Sequence, residues 1–223
     1  MKIKNAMYAG VGSLILASTA SAGYSGLVAE EFNQSGTNVL GTSWDLTIVR
    51  LYAQLENAGD RLDAVYGSGD NPMYINTSGE FYQNAAGGNS SLQINGALFG
   101  VYNSLEYDTF VTIGKLDSAG DALLVQAVDF SNFGSEVSTS NGTWTVTPDD
   151  AQGIGDGDNR VIIGQFSFAA GTGGLDSMDG LVNMQGKNAD GSNWTALNQW
   201  VPAPGALALL GLAGIAGHRR RRN

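Results

Sequence analysis

The amino-acid sequence predicts an all-β protein, a single antiparallel β-sandwich of jelly-roll-like form over residues 23–200, set between two apolar ends. Three observations carry that prediction. The 223-residue chain has 32 Gly but only 4 Pro, and charged residues make up 14%, below the roughly 25% of ordinary soluble domains. Such a body is turn-rich and uncharged-polar. Short apolar–polar alternations recur between clusters of Gly, Asn, Asp and Ser, the pattern of half-buried strands in a sandwich. At 43% hydrophobic and without Cys, the chain has the material for a core and must hold together without disulfides.

Residues 1–22, MKIKNAMYAGVGSLILASTASA, read as a signal peptide. Lys2 and Lys4 form a basic start, Ala6 to Ala17 an apolar stretch too short for a comfortable membrane span. Ala20-Ser21-Ala22 is an A-x-A cleavage motif, with Ala20 and Ala22 as its small residues. The mature chain then begins at Gly23, and the Sec export machinery is an expected partner.

The segment WDLTIVRLYAQLENAGD, residues 44–60, admits two readings. Ile48, Leu51, Tyr52 and Leu55 fall at helical spacing, and Gly59 suits a helix end. Thr47, Ile48 and Val49 are β-branched in a row, which favours a long strand. In YDTFVTIG, alternation places Tyr107, Val111 and Ile113 on one face. In VIIGQFSF it places Ile162, Phe166 and Phe168 together. LLVQAVDF (123–130) and LVNMQG (181–186) are further strands. The strongest local signal is EVSTSNGTWTVT, 136–147. Asn141-Gly142 predicts a type I′ hairpin turn, which needs φ > 0 at both positions. Pairing outward puts Thr139 opposite Trp144 and Val137 opposite Val146 on one face, with Ser138, Ser140, Thr143 and Thr145 on the other.

Residues 201–223, VPAPGALALLGLAGIAGHRRRRN, close the sequence. Pro202 and Pro204 punctuate the chain and can open a helix. Ala206 to Gly217 is apolar and spans about 18 Å as a helix, against a bilayer core of about 30 Å. Crossing requires snorkelling or local thinning. Arg219, Arg220, Arg221 and Arg222 then act as a cytoplasmic stop.

Charge narrows the function classes. All 21 acidic residues lie between 23 and 200, against five basic ones (Arg50, Arg61, Lys115, Arg160 and Lys187), a net charge of −16. That field disfavours nucleic acid as a partner and attracts cations. The only His is His218, inside the tail, so a Ser-His-Asp triad or a His-ligated zinc has no histidine in the body. No P-loop or dinucleotide fingerprint is present. Asp149, Asp150, Asp156 and Asp158, with Asn159, are candidate Ca²⁺ ligands, because Ca²⁺ takes six to eight oxygens from flexible acidic loops. A second such cluster is Asp60, Asp63, Asp70 and Asn71. Turns use the same residue types, and the spacing fits no EF-hand. A cofactor-free body is therefore the expectation, with structural Ca²⁺ the alternative. A glycosidase-like carboxylate pair is the remaining enzyme class, and nothing singles one pair out. Tyr74, Phe81, Tyr82, Trp194 and Trp200 stand in or beside polar stretches and are candidates for stacking on sugar rings, with core packing as the alternative.

The C-terminal succession of Val201, Pro202, Ala203, Pro204 and Gly205, an apolar run containing Leu209-Leu210, and the arginine cluster resembles the PEP-CTERM sorting signal, in its VPAPG form. Ala203 stands where the motif's central Glu would be. The resemblance implies handling by an exosortase, a membrane-embedded transpeptidase-like enzyme, with cutting near Pro202 to Gly205. The body phrases RLYAQL, GDRLDAVYG, FYQNAAGGNSS, YDTFVTIG and VIIGQFSF are similar to an exported β-rich domain family carrying the same signal. The expectation is a non-enzymatic protein, tethered transiently at the inner membrane and then placed at the cell surface or in the extracellular matrix. Its expected role is structural or adhesive, with exopolysaccharide as a further partner. The alternative is a carbohydrate-binding or carbohydrate-active domain.

Overall fold

The computed structural model describes residues 14–15, 23–147 and 149–201. The cleavage residues Ala20 and Ala22 lie outside the described residues, as do Pro202, Ala203, Pro204, Gly205 and Arg219 to Arg222. Among the described residues no helix is long and apolar enough to cross a membrane.

The described chain is all-β, with five single-turn 3₁₀ segments and two antiparallel sheets arranged as in a β-sandwich. Its strands are β1 (Leu14–Ile15), β2 (Tyr24–Thr37), β3 (Ser43–Leu55), β4 (Arg61–Gly67), β5 (Met73–Thr77), β6 (Phe110–Val111), β7 (Leu123–Gln126), β8 (Glu136–Thr139), β9 (Gly142–Val146), β10 (Arg160–Ala169), β11 (Met178–Lys187) and β12 (Asn193–Val201). The first sheet runs β1-β2-β3-β10-β6. In the second, β11 is central. β12 flanks one edge, and β4 and β5 lie end to end along the other, since Gln185 pairs with both Ala64 and Thr195, and Leu181 with both Tyr74 and Trp200. β9 and β8 follow outside β4 and β5, and β7 lies outside β9.

The core fills the space between the sheets. Leu27, Val49, Leu51, Leu55, Val161, Ile163, Phe166 and Phe168 from the first meet Leu62, Val65, Ile75, Trp144, Val182 and Met184 from the second. Burying side chains of this size contributes about 1.5–3 kcal/mol each. Tyr24 stacks on Trp194 with ring centroids 5.5 Å apart, closing one corner where β2 meets β12.

Segment 44–60 is strand and turn, not helix. Ile48 and Tyr52 point to the outer face of the first sheet while Leu51 and Leu55 enter the core. A strand that is apolar on both faces thus reproduces the spacing of a helix. Its β-branched run decides the matter.

Four sequence expectations are corrected. Asn141-Gly142 is not a hairpin turn: neither residue has positive φ, and β8 and β9 do not pair with each other. β8 pairs with β5 (Val137 with Ile75, Thr139 with Met73) and β9 with β4 (Trp144 with Val65). Residues 136–146 therefore form one interrupted strand. Gly142 serves close approach instead: a methyl group there would sit 2.2 Å from the Ala127 carbonyl oxygen. Val137, Thr139, Trp144 and Val146 are nevertheless all buried, because the interruption shifts the alternation as a two-residue turn would. In β10, Ile162 faces Tyr52 on the outer side, and Ile163 joins Phe166 and Phe168 in the core. A bulge between Ile162 and Gly164 inserts the extra residue and reverses the faces. Tyr107 belongs to a 3₁₀ turn that packs on Trp44, whereas Val111 and Ile113 reach the core as expected. Finally, the 123–130 strand ends at Gln126, where Ala127 adopts φ 54°.

These interruptions lie on one line across the second sheet. Ala127, Ser140-Asn141, the Ser68–Asn71 loop, Asn183 and Asn198 (φ 51°) occupy the same level of five adjacent strand paths. Asn183 ties them: its Nδ2 donates to the carbonyls of Tyr66 (3.1 Å) and Asn71 (2.9 Å), and its Oδ1 accepts from Asn198 N–H (2.8 Å). A row of bulges bends a sheet and increases its local twist.

Much of residues 79–118 packs over the outer face of the first sheet as a third layer, while Phe81, Val111 and Ile113 enter the main core and β6 belongs to the sheet itself. Ile94, Leu105 and Phe110 form a second small core there with Leu98, Phe99, Tyr102 and Leu116.

Candidate functional site

Among the described residues nothing covers the second sheet in this way, and its outer face holds a groove of about 700 Å³. Tyr74, Asn76 and Ser138 line it, with Pro72, Ala127, Asp129, Glu136 and Asn141 around them. Register places Asp129, Ser138, Tyr74, Leu181 and Trp200 in one row across five strand paths. Directly paired residues of an antiparallel sheet share a face, so the row is continuous. Trp200 is 58% exposed, and Tyr74 lies two strand spacings away, about 9.5 Å. The Tyr74 hydroxyl approaches Asp179 Oδ2 at 3.5 Å. Burial, with Asp179 beside it, raises the phenol's pKa and keeps it a donor. Glu136, Asn76 and Asp179 form the neighbouring row. Aromatic faces flanked by amide, hydroxyl and carboxylate groups can take a ligand that has apolar ring faces and a rim of hydroxyls.

Of the five aromatic candidates, then, only Tyr74 and Trp200 come together at the surface. Phe81 is buried against Phe166 and Phe168, and Trp194 is buried against Tyr24. Tyr82 is half-buried and hydrogen-bonded to Ser104 (3.1 Å). Leu181, Asp129, Glu136 and Asp179 were not singled out by sequence reasoning. Pairing register alone brings them to this row, and no local motif encodes it.

The four candidate Ca²⁺ ligands do not converge. Asp149 is paired with Arg61 and Asp158 with Arg160. Asp150 Oδ1 caps a 3₁₀ turn by accepting from Gln152 N–H (2.9 Å), and Asp156 Oδ1 accepts from the N–H groups of Asp158 and Arg160, both at 2.9 Å. Arg61 holds the Asp149 carboxyl below its usual range. Among the described residues no group of three or more His, Asp or Glu side chains is placed to hold a metal ion. In the second cluster, buried Asp60 joins two turns by accepting from Asn57 N–H (2.9 Å) and Ala189 N–H (2.8 Å), and Asp63 pairs with Arg61. Asp70 is exposed and Asn71 binds Asn183.

A second trough of about 510 Å³ lies beside β3 and β10, lined by Tyr52, Lys115, Asp150, Asp156 and Arg160. The Arg160 guanidinium stands over the Tyr52 ring at 4.9 Å and pairs with Glu30 at 2.5 Å. Its charge is already matched, so this trough offers less free chemistry than the aromatic row.

Under the third layer sits Asp108, fully buried. Burial pushes its carboxyl up to about 7, against the opposing pull of the Asn84, Thr109 and Gly88 amides. Oδ1 accepts from Asn84 N–H at 2.7 Å, and Oδ2 packs so closely that a methyl group at Gly87 would lie 1.9 Å from it. Beside it, buried Gln165 donates to the Asp108 and Glu106 carbonyls (2.9 and 3.0 Å) and accepts from Arg50 Nε (2.9 Å). This network ties the third layer to the first sheet and reads as structural.

Comparison of the chain with family models, curated proteins and solved structures finds no match.

Proposed function

We propose that the chain is an exported, non-enzymatic protein of the cell surface or extracellular matrix, sorted by a PEP-CTERM/exosortase-type route, with a jelly-roll-like body that is structural or adhesive. The observation that carries the reading is the order of parts. A basic-apolar leader ends in Ala20-Ser21-Ala22, an acidic all-β body follows, and the last described residue of its edge strand β12, Val201, is the first of Val201-Pro202-Ala203-Pro204-Gly205. The tail's apolar run and arginines are a temporary tether, and Sec and an exosortase-like transpeptidase are the handling partners. In the two acidic clusters of the sequence, every carboxylate but that of Asp70 is taken up by a turn or an arginine pair. Intact-mass spectrometry of the exported protein tests the reading. The expected mass lacks residues 1–22 and those beyond the Pro202–Gly205 region. An exported chain with all four tail arginines overturns it.

One observation favours a second reading of the body, carbohydrate binding: the row of Tyr74, Leu181 and Trp200 beside a polar groove. The net charge of −16 directs this face towards neutral rather than polyanionic glycans. A glycan array probed with the exported protein separates the two readings, since specific binding promotes the second.

A further inference from the structure

The corner where β2 begins carries an arrangement that the leader reading does not itself require. Gly23 is buried with φ +96°, and a methyl group there would lie 1.8 Å from Asn188 Oδ1 and 2.7 Å from Trp194 Cδ1. Only glycine fits, for both the backbone angle and the space. Gly23 N–H donates to Glu56 Oε2 at 3.2 Å, and Glu56 N–H donates back to the Gly23 carbonyl at 3.3 Å. Asn188 Oδ1, pressed against Gly23, is buried without a hydrogen-bond partner. Its Nδ2 is engaged with Ser192 Oγ (2.7 Å), which fixes the amide's direction. Two acceptors thus crowd Gly23: a carboxylate oxygen takes its N–H, and an unpartnered amide oxygen lies against its Cα.

An amide in that position has one proton to give. A free α-ammonium has three, and a positive charge. We propose that cleavage after Ala22 converts Gly23 into a cationic anchor, held by Glu56 from the β3–β4 turn and by Asn188 from the β11–β12 turn, which locks the two sheets together at this corner. The step is hydrolysis of the Ala22–Gly23 amide by water: the carbonyl of Ala22 leaves as a carboxylate, and the Gly23 nitrogen takes up the protons. The anchor sits next to the Tyr24–Trp194 stack and beside Asp60, which already bridges the same two turns through Asn57 and Ala189. Maturation therefore stabilises the domain at the point where it is cut. The inference rests on the leader reading, but the Glu56 and Asn188 geometry is independent of it.

The test uses the exported full body and a leader-retaining chain whose Ala20-Ser21-Ala22 motif is blocked, each with and without Glu56→Gln. Intact mass first establishes the N-terminus; a start other than Gly23 overturns the leader reading and this proposal with it. With Gly23 confirmed, the exported wild type should melt a few degrees above its Glu56→Gln variant at pH 6. That is the scale of one partly exposed charge pair in a domain of this size. The gap should close by pH 10, above the ordinary α-amino pKa of about 7.7–8.0. It should be absent at both pH values in the leader-retaining pair. Equal gaps in the two pairs, or a gap unchanged between pH 6 and pH 10, overturn the anchor while leaving the leader reading intact.

Discussion

The outer faces of the two sheets start from the same alternation and meet opposite fates. On the first sheet, much of residues 79–118 lies over the strands, and outward-facing Ile48, Gln165 and Ser167 are fully buried. On the second, nothing among the described residues covers the row from Asp129 to Trp200. A polar group on the covered face finds a partner inside the protein or goes without at a cost of about 1–3 kcal/mol, and Ser167 Oγ has none. Gln165 is partnered at both its oxygen and its nitrogen. Polar and aromatic groups on the open face are left for a ligand. The same residue types are thus structural in one place and available in the other.

Substitutions on the covered and the open face test this difference. The largest expected effect belongs to Asp108. Folded, it holds a proton up to about pH 7; unfolded, it releases it near pH 4. Between those values the native state binds the extra proton, so this group's contribution falls as pH rises through the window, by up to about 4 kcal/mol in total. Below pH 4 the contribution is complete. Urea titrations of wild type and Asp108→Asn across pH 4–8 should show that slope in the first and lose it in the second. Parallel curves would mean that the third layer admits water to the carboxylate.

Gln165→Ala should come next, at about 2–4 kcal/mol, because it strands the buried Asp108 carbonyl, the half-buried Glu106 carbonyl and Arg50 Nε; denaturant midpoints measure it. A cost under about 0.5 kcal/mol would show that the cover opens readily. The smallest expected change in stability is at Trp200→Ala on the open face, within about 0.5 kcal/mol. Its effect should appear in binding instead, as a ten-fold or greater loss on any glycan that the array identifies. A stability loss of several kcal/mol there, with glycan binding intact, would move Trp200 from the ligand face to the framework.

Particular residues show what was legible beforehand. The buried set Val137, Thr139, Trp144 and Val146 was readable from alternation, but its pairing was not. A two-residue hairpin turn and a bulged strand shift the faces identically, and only the partners β4 and β5 distinguish them. Asn141-Gly142 carried the strongest local turn signal and lost to long-range pairing. The Ca²⁺ candidates were legible as acidic turns but not as ion pairs, because Arg61 meets Asp149 across 88 positions. Tyr74 and Trp200 were legible as candidates, yet Trp194 looked the same in sequence and is core.

The β-rich class, the strongly acidic body and the basic-apolar ends that support the sorting proposal are written in the order of the residues alone. These depend on local alternation, composition and contiguous motifs, which survive in one dimension. Tertiary structure decided which outer face is covered, which carboxylate is driven up by burial, and which aromatics share a surface row. Those properties arise from contacts between positions tens to more than a hundred residues apart, and each depends on exclusion of water, which no local pattern records.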